Sequence, residues 1–121
     1  MVIIVRTIMN VLPEKQKEVL QTLLSMIESP TKERGCLSSV IFRDIQDENV
    51  FHLISEWETR QHLDHHIQSE RFSVLLGTKS LLCDPLKIEI LTVLNSEGIE
   101  AVNSVRKKKL IFSNYANAKS R

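Results

Sequence analysis

The chain has 121 residues, 42% of them hydrophobic and 26% charged, with 16 basic and 15 acidic side chains for a formal net charge of +1. One domain of that size hides about two thirds of its surface on folding, so a single thin core is expected. So balanced a charge gives no field to gather a polyanion, which removes nucleic acid as the default partner, and no apolar run approaches the roughly 18 residues of a membrane helix.

Val2 to Val11 is rich in β-branched residues, with Arg6, Thr7 and Asn10 as its polar members, and reads as a strand largely covered on both faces. Its apolar start meets Arg6 without the basic opening and small-residue cleavage site of a signal peptide, so a cytoplasmic protein with no membrane partner is expected. Pro13 suits the first turn of a helix, and Val19, Leu20, Leu23, Leu24 and Ile27 recur at helical spacing opposite Glu14, Lys17, Gln21 and Glu28. That helix should finish near Ser29, ahead of Pro30, and Gly35 ends the polar connection that follows. Cys36 to Asp44 and Asn49 to Trp57 are strand-like runs, joined by a link short enough for an antiparallel hairpin.

Thr59 can cap a helix starting at Arg60. Ser69 can cap a further turn or two carrying Phe72, Leu75 and Leu76 before Gly77, so the second helix should break near Gln68. After Asp84 and Pro85, Leu86 to Leu94 has the alternation of a last strand. Residues 1–95 therefore form the domain and 96–121 a basic, polar tail. In that tail Ile99, Val102 and Val105 can form a short amphipathic helix or belong to a frayed extension, and Arg106 to Lys109 reads as a solvated cluster. The order is β-α-β-β-α-β, an α+β fold. Its open sheet would carry helices on one face, and a partner subunit is the simplest cover for the other, so a homodimer is expected.

Cys36 and Cys83 lie far apart and outside any CxxC spacing, and read as half-buried reduced thiols rather than a disulfide or zinc pair. His62, His65 and His66, with His52 from a neighbouring strand, invite a metal reading. No glutamate separates them as in a zincin and His65 points off the shared face, so no metal is expected. Asp64 and Glu70 read as helix-surface charges.

The stretch Glu56 to Phe72 is the most informative. Trp57, Glu58 and Thr59 end a strand, Leu63 follows the tryptophan by six residues and His66 by nine, and Ser69 and Phe72 complete the set. With Glu33-Arg34-Gly35-Cys36-Leu37 and Phe42-Arg43-Asp44 in order before it, this pattern resembles the antibiotic-biosynthesis monooxygenase family of dimeric ferredoxin-like barrels over residues 2 to 94. The resemblance implies a ferredoxin-like sandwich forming a dimeric α+β barrel, with a site between sheet and helices in each subunit. Some members oxidise phenolic or quinol-like aromatics with O₂ and without flavin, haem or metal, so no cofactor is expected. Others bind haem and degrade it; Thr7 rather than Asn10 falls nearest the asparagine those relatives use, and Ser55 stands where many members carry a glutamate.

On that resemblance His66 is the base or hydrogen-bond partner, Trp57 the flat wall for a small aromatic ligand, and Phe72 an apolar lining residue, with Asn10 and Arg43 as polar contacts. A histidine suits the first role because its unperturbed pKa lies near neutrality. The plainer readings are that Trp57 only anchors the following helix and that His66 is a half-buried histidine bonded to a backbone carbonyl. The functional expectation is thus a cofactor-independent monooxygenase, with a non-catalytic ligand-binding or dimerising domain as the alternative and haem degradation behind both.

Overall fold

The computed structural model describes residues 1–27 and 33–119, with side chains up to residue 109, and alternation along its first strand divides a sheet into two unlike faces. In β1 (Val2–Asn10), Ile3, Val5, Thr7 and Met9 are buried, while Val2, Ile4, Ile8 and Asn10 are half-buried and Arg6 is exposed. β3 (Val50–Trp57) repeats the pattern, burying Phe51, Leu53, Ser55 and Trp57 on the same side. Apart from Thr7 and Ser55 these inward residues are apolar, because helices cover that side.

The sheet order is β2-β3-β1-β4, every neighbouring pair antiparallel, with β2 (Cys36–Arg43) and β4 (Lys87–Val93) as edges. The helices between them are α1 (Gln16–Ile27), entered through a tight turn at Pro13–Lys15, then α2 (Arg60–Ile67) and α3 (Glu70–Leu76). This is the expected β-α-β-β-α-β order and ferredoxin-like α+β architecture. One cluster packs Met9, Val11, Val19, Leu23, Phe51 and Leu75 between sheet and helices, and a smaller one joins Ile3, Val5, Trp57 and Leu63.

Several expectations need correction. α1 buries Val19, Leu23 and Met26 and leaves Leu20 exposed, so its stripe is rotated from the one expected; Met26 has the length to fill the gap beside Leu53. Its expected end near Ser29 lies outside the described residues. Cys83 is exposed rather than half-buried. Of the two expectations for the tail the helix is the one found, longer than expected: α4 (Ile99–Lys119) has 21 residues. After Gly98 the chain meets no glycine or proline and carries several Ala, Lys and Arg residues, good helix formers.

β1 is not covered on both faces within one subunit. The outer side of the sheet carries Ile4, Ile8, Val40, Phe42, Ile54 and Leu91, and Val40, Phe42 and Leu91 are each more than two-fifths exposed. No helix of the described residues is long and apolar enough to cross a membrane.

Candidate functional site

Three local features converge at the end of the sheet where β2 begins and β3 finishes. Gly35 has φ +82°, the left-handed conformation that glycine adopts without a steric penalty. Through it the chain turns back into β2, with the Cys36 N–H donating to the carbonyl of Glu33 at 3.1 Å and the Glu58 N–H donating to that of Gly35 at 2.8 Å. The turn therefore clamps Glu33 against the end of β3.

Thr59 opens α2 by accepting from the His62 N–H at 3.2 Å, which fixes the helix directly after Trp57. Leu63, fully buried, anchors it to Val5 and Trp57. One turn later His66 comes down on the same face. The break between α2 and α3 lies where expected: Ser69 caps α3 by accepting from the Phe72 N–H at 3.2 Å, while its hydroxyl donates to the His66 carbonyl at 2.6 Å.

Around His66 these elements build a tight cluster. Its ring stacks on Trp57 with centroids 4.6 Å apart and meets Phe72 edge-on at 5.5 Å. Its Nδ1 lies 2.5 Å from Oε2 of Glu33, and the Arg71 guanidinium is 3.8 Å from the same oxygen. Trp57 in turn donates its indole N–H to the Ser55 hydroxyl at 3.0 Å in the buried interior. This arrangement replaces the backbone-carbonyl reading of His66: its partner is a carboxylate.

Burial pushes the His66 pKa below its ordinary value; the Glu33 charge opposes that shift and the Arg71 charge adds to it. The imidazole is therefore neutral at neutral pH. Because Nδ1 faces a carboxylate, the hydrogen-bond network assigns the proton to Nδ1, which leaves the Nε2 lone pair as the basic position.

The linkage has a definite sign. Unfolded, the histidine binds a proton near its ordinary pKa of about 6.5; folded, it does so only at lower pH. Stability from this group is thus fully present above about 6.5 and is lost as pH falls through the lower, folded pKa. Urea denaturation of the wild type against His66→Gln should show the wild type losing stability relative to the variant between neutral and mildly acid pH; parallel curves would contradict the buried neutral imidazole.

A cavity of about 340 Å³ opens beside this cluster. Trp57, His66, Glu33 and Arg71 form one wall, Met26 and Leu53 line it with apolar surface, and Ser39 and Ser55 supply hydroxyls. The volume is at the small end for ligand sites, and apolar walls with a few convergent polar groups are their usual composition.

His66 and Trp57 are thus brought together at a cavity, and Phe72 stands behind the imidazole. Asn10 and Arg43 are not. Asn10 ends β1 on the outer face of the sheet and donates from Nδ2 to Asp84 at 2.9 Å, since strand alternation turns it away from Met9. Arg43 stands at the far end of β2, where it donates to Gln16 Oε1 at 2.5 Å and the Glu48 carbonyl at 3.0 Å and lies over the Phe51 ring. Both tie elements together there. Among the described residues no three His, Cys, Asp or Glu side chains converge on a metal-binding position.

Sequence reasoning missed Glu33 and Arg71 as members of the cluster. Glu33 is 33 positions from His66, so no local spacing links them; the one available signal was its place just ahead of Gly35.

The antiparallel ferredoxin-like sheet with a histidine-lined cavity beside its helices defines the class of α+β domain, and comparison with known proteins specifies the family. The model of the antibiotic biosynthesis monooxygenase family matches residues 1–75, well over half of the chain, and the protein belongs to that family. It is 28% identical over 98 residues to an uncharacterised protein of Synechocystis, covering 80% of this chain and 67% of that one. A conserved protein of Methanosarcina mazei is similar in structure with a TM-score of 0.69 and 27% identity, over 74% of this chain and 90% of its own. Rv0793 of Mycobacterium tuberculosis shares the fold with a TM-score of 0.73 and 20% identity, over 81% and 100%.

Proposed function

We propose that this member is a homodimeric, cofactor-independent monooxygenase that oxidises a small aromatic or quinol-like substrate with O₂. The observation that carries the reading is the Glu33–His66–Trp57 cluster at the wall of an apolar cavity. Trp57 and Phe72 hold His66 in place. The substrate ring lies in the cavity against the Trp57 wall, and its hydroxyl proton passes to the imidazole while Glu33 stabilises the imidazolium that forms.

The proton transfer is uphill. A phenol is a much weaker acid than an imidazolium, and burial holds the His66 pKa below its ordinary value, so the difference has to be met by the site. Arg71, whose charge lies on the same wall, favours the substrate anion. The anion then gives electrons to O₂, and the overall balance needs no other reductant: a quinol plus O₂ yields a hydroxyquinone plus water. All four electrons come from the substrate. One oxygen atom enters the ring and the other leaves as water.

The homodimer is supported by the outer sheet face, whose Ile4, Ile8, Val40, Phe42, Ile54 and Leu91 form an apolar surface left uncovered in one subunit. The chain's one tryptophan makes the binding step directly measurable. Quinols and flat phenols should quench Trp57 fluorescence saturably, and an aliphatic alcohol of equal size should not. Absence of saturable quenching by any aromatic in a broad panel would overturn the placement of the substrate.

A further inference from the structure

One face of α4 carries two unlike surfaces in series. Ile99, Val102, Arg106 and Lys109 recur at i, i+3, i+7 and i+10, so an apolar first half, flanked by Val105, runs into a basic second half. Their own subunit leaves them uncovered: Ile99, Val102 and Val105 are 65%, 51% and 66% exposed, and Arg106 to Lys109 are exposed as well.

The β2–β3 hairpin, residues 44–49, presents the complement. Asp44, Asp47 and Glu48 make it acidic, Ile45 is fully exposed, and Phe42 and Val40 continue from it along the outer face of the sheet. Asp44 accepts from the backbone N–H groups of Gln46 at 2.7 Å and Asp47 at 3.0 Å, which hold its carboxyl below the usual range and keep the hairpin anionic. Its nearby basic groups are His52, 4.0 Å from Asp44, and Arg43, already engaged with Gln16 and the Glu48 carbonyl.

Within one subunit these surfaces belong to opposite ends of the sheet. β4 leaves it beside Val2, and the hairpin lies a strand length away, about 25 Å. The basic half of α4 begins only about 10 Å along the helix from Ile99. A two-fold axis across the strands removes that separation along the strands by setting the β4 end of one subunit level with the hairpin end of the other.

Resting on the homodimer reading, we infer that α4 is an arm that docks on a second copy of this chain. Its apolar half lies on the second copy's sheet edge at Val40 and Phe42, and Arg106 and Lys109 pair with the acidic hairpin. Each arm meets the other subunit once, so the contact is reciprocal and closes at two chains.

A charge swap in the full chain tests this by sedimentation equilibrium. One variant makes the arm acidic, Arg106→Glu/Lys107→Glu/Lys109→Glu; the other makes the hairpin basic, Gln46→Lys/Asp47→Lys/Glu48→Lys, leaving Asp44 and its turn bonds intact. Alone, each should dimerise about tenfold or more weakly than wild type, with high salt relieving the defect. Mixed, they should form a heterodimer of near wild-type affinity, because both arm-to-hairpin pairs are then complementary, and that rescue also shows that both variants fold. A mixture no tighter than its components, or variants that dimerise like wild type, would overturn the arm while leaving the homodimer standing. A wild type that stays monomeric at every concentration would remove both.

Discussion

His66→Ala is expected to lower aromatic turnover by about 10² to 10⁴-fold, the range a positioned general base contributes, while leaving the sheet intact. The loss should fall on the rate after binding more than on affinity, because Trp57 and the apolar wall remain. Glu33→Gln separates positioning from chemistry. A glutamine can still accept from Nδ1–H, but it no longer stabilises the imidazolium, so activity should fall and the rise of rate with pH should move to lower pH. A purely structural histidine would show neither response: its replacement would change melting temperature with turnover unaltered.

Gly35→Ala is expected to be the most damaging single methyl group in the chain. At φ +82° a side chain costs about 1–3 kcal/mol in backbone strain. The added Cβ would also overlap Cβ and Cγ of His62, atoms near the helix backbone that cannot swing aside as a flexible tip does. Together these should lower the melting temperature by on the order of 10 °C or more for a domain of this size. Activity should fall too, because the same turn holds Glu33 against His66. Pairing Gly35→Ala with His62→Gly, measured against His62→Gly alone, should recover the overlap with Cβ and Cγ and leave the backbone strain, a partial rescue readable by thermal melting. Full recovery, or none, would contradict this division of the cost.

How much of this was legible in the sequence depended on the range of the interaction that decides each feature. The strands and helices of the first 94 residues follow from period and capping, both local. Ser69 and Gln68 mark the helix break because a cap acts within three residues. His66 and Trp57 were found through a pattern confined to one strand and one helix. Glu33 and Arg71 escaped because their meeting with His66 is made by tertiary packing and leaves no periodicity. Asn10 and Arg43 lie away from the cavity for two different reasons: strand alternation turns Asn10 to the outer face, and Arg43, on the inner face, stands at the far end of β2. The tail was left between a short helix and a frayed extension because its apolar stripe stops at Val105, whereas a run without glycine or proline is free to be helix whatever its surface.

Membership of the antibiotic biosynthesis monooxygenase family accounts for the fold, and the cluster around His66 is where this chain's own chemistry is to be sought. The most direct measurement is oxygen uptake by the purified protein, free of added flavin and treated with chelator, against a panel of quinols and fused-ring phenols. The account predicts uptake of one O₂ per hydroxyquinone formed, dependent on His66. No uptake with substrates that saturably quench Trp57 would contradict it, and would make the cavity a binding site without oxygenase chemistry.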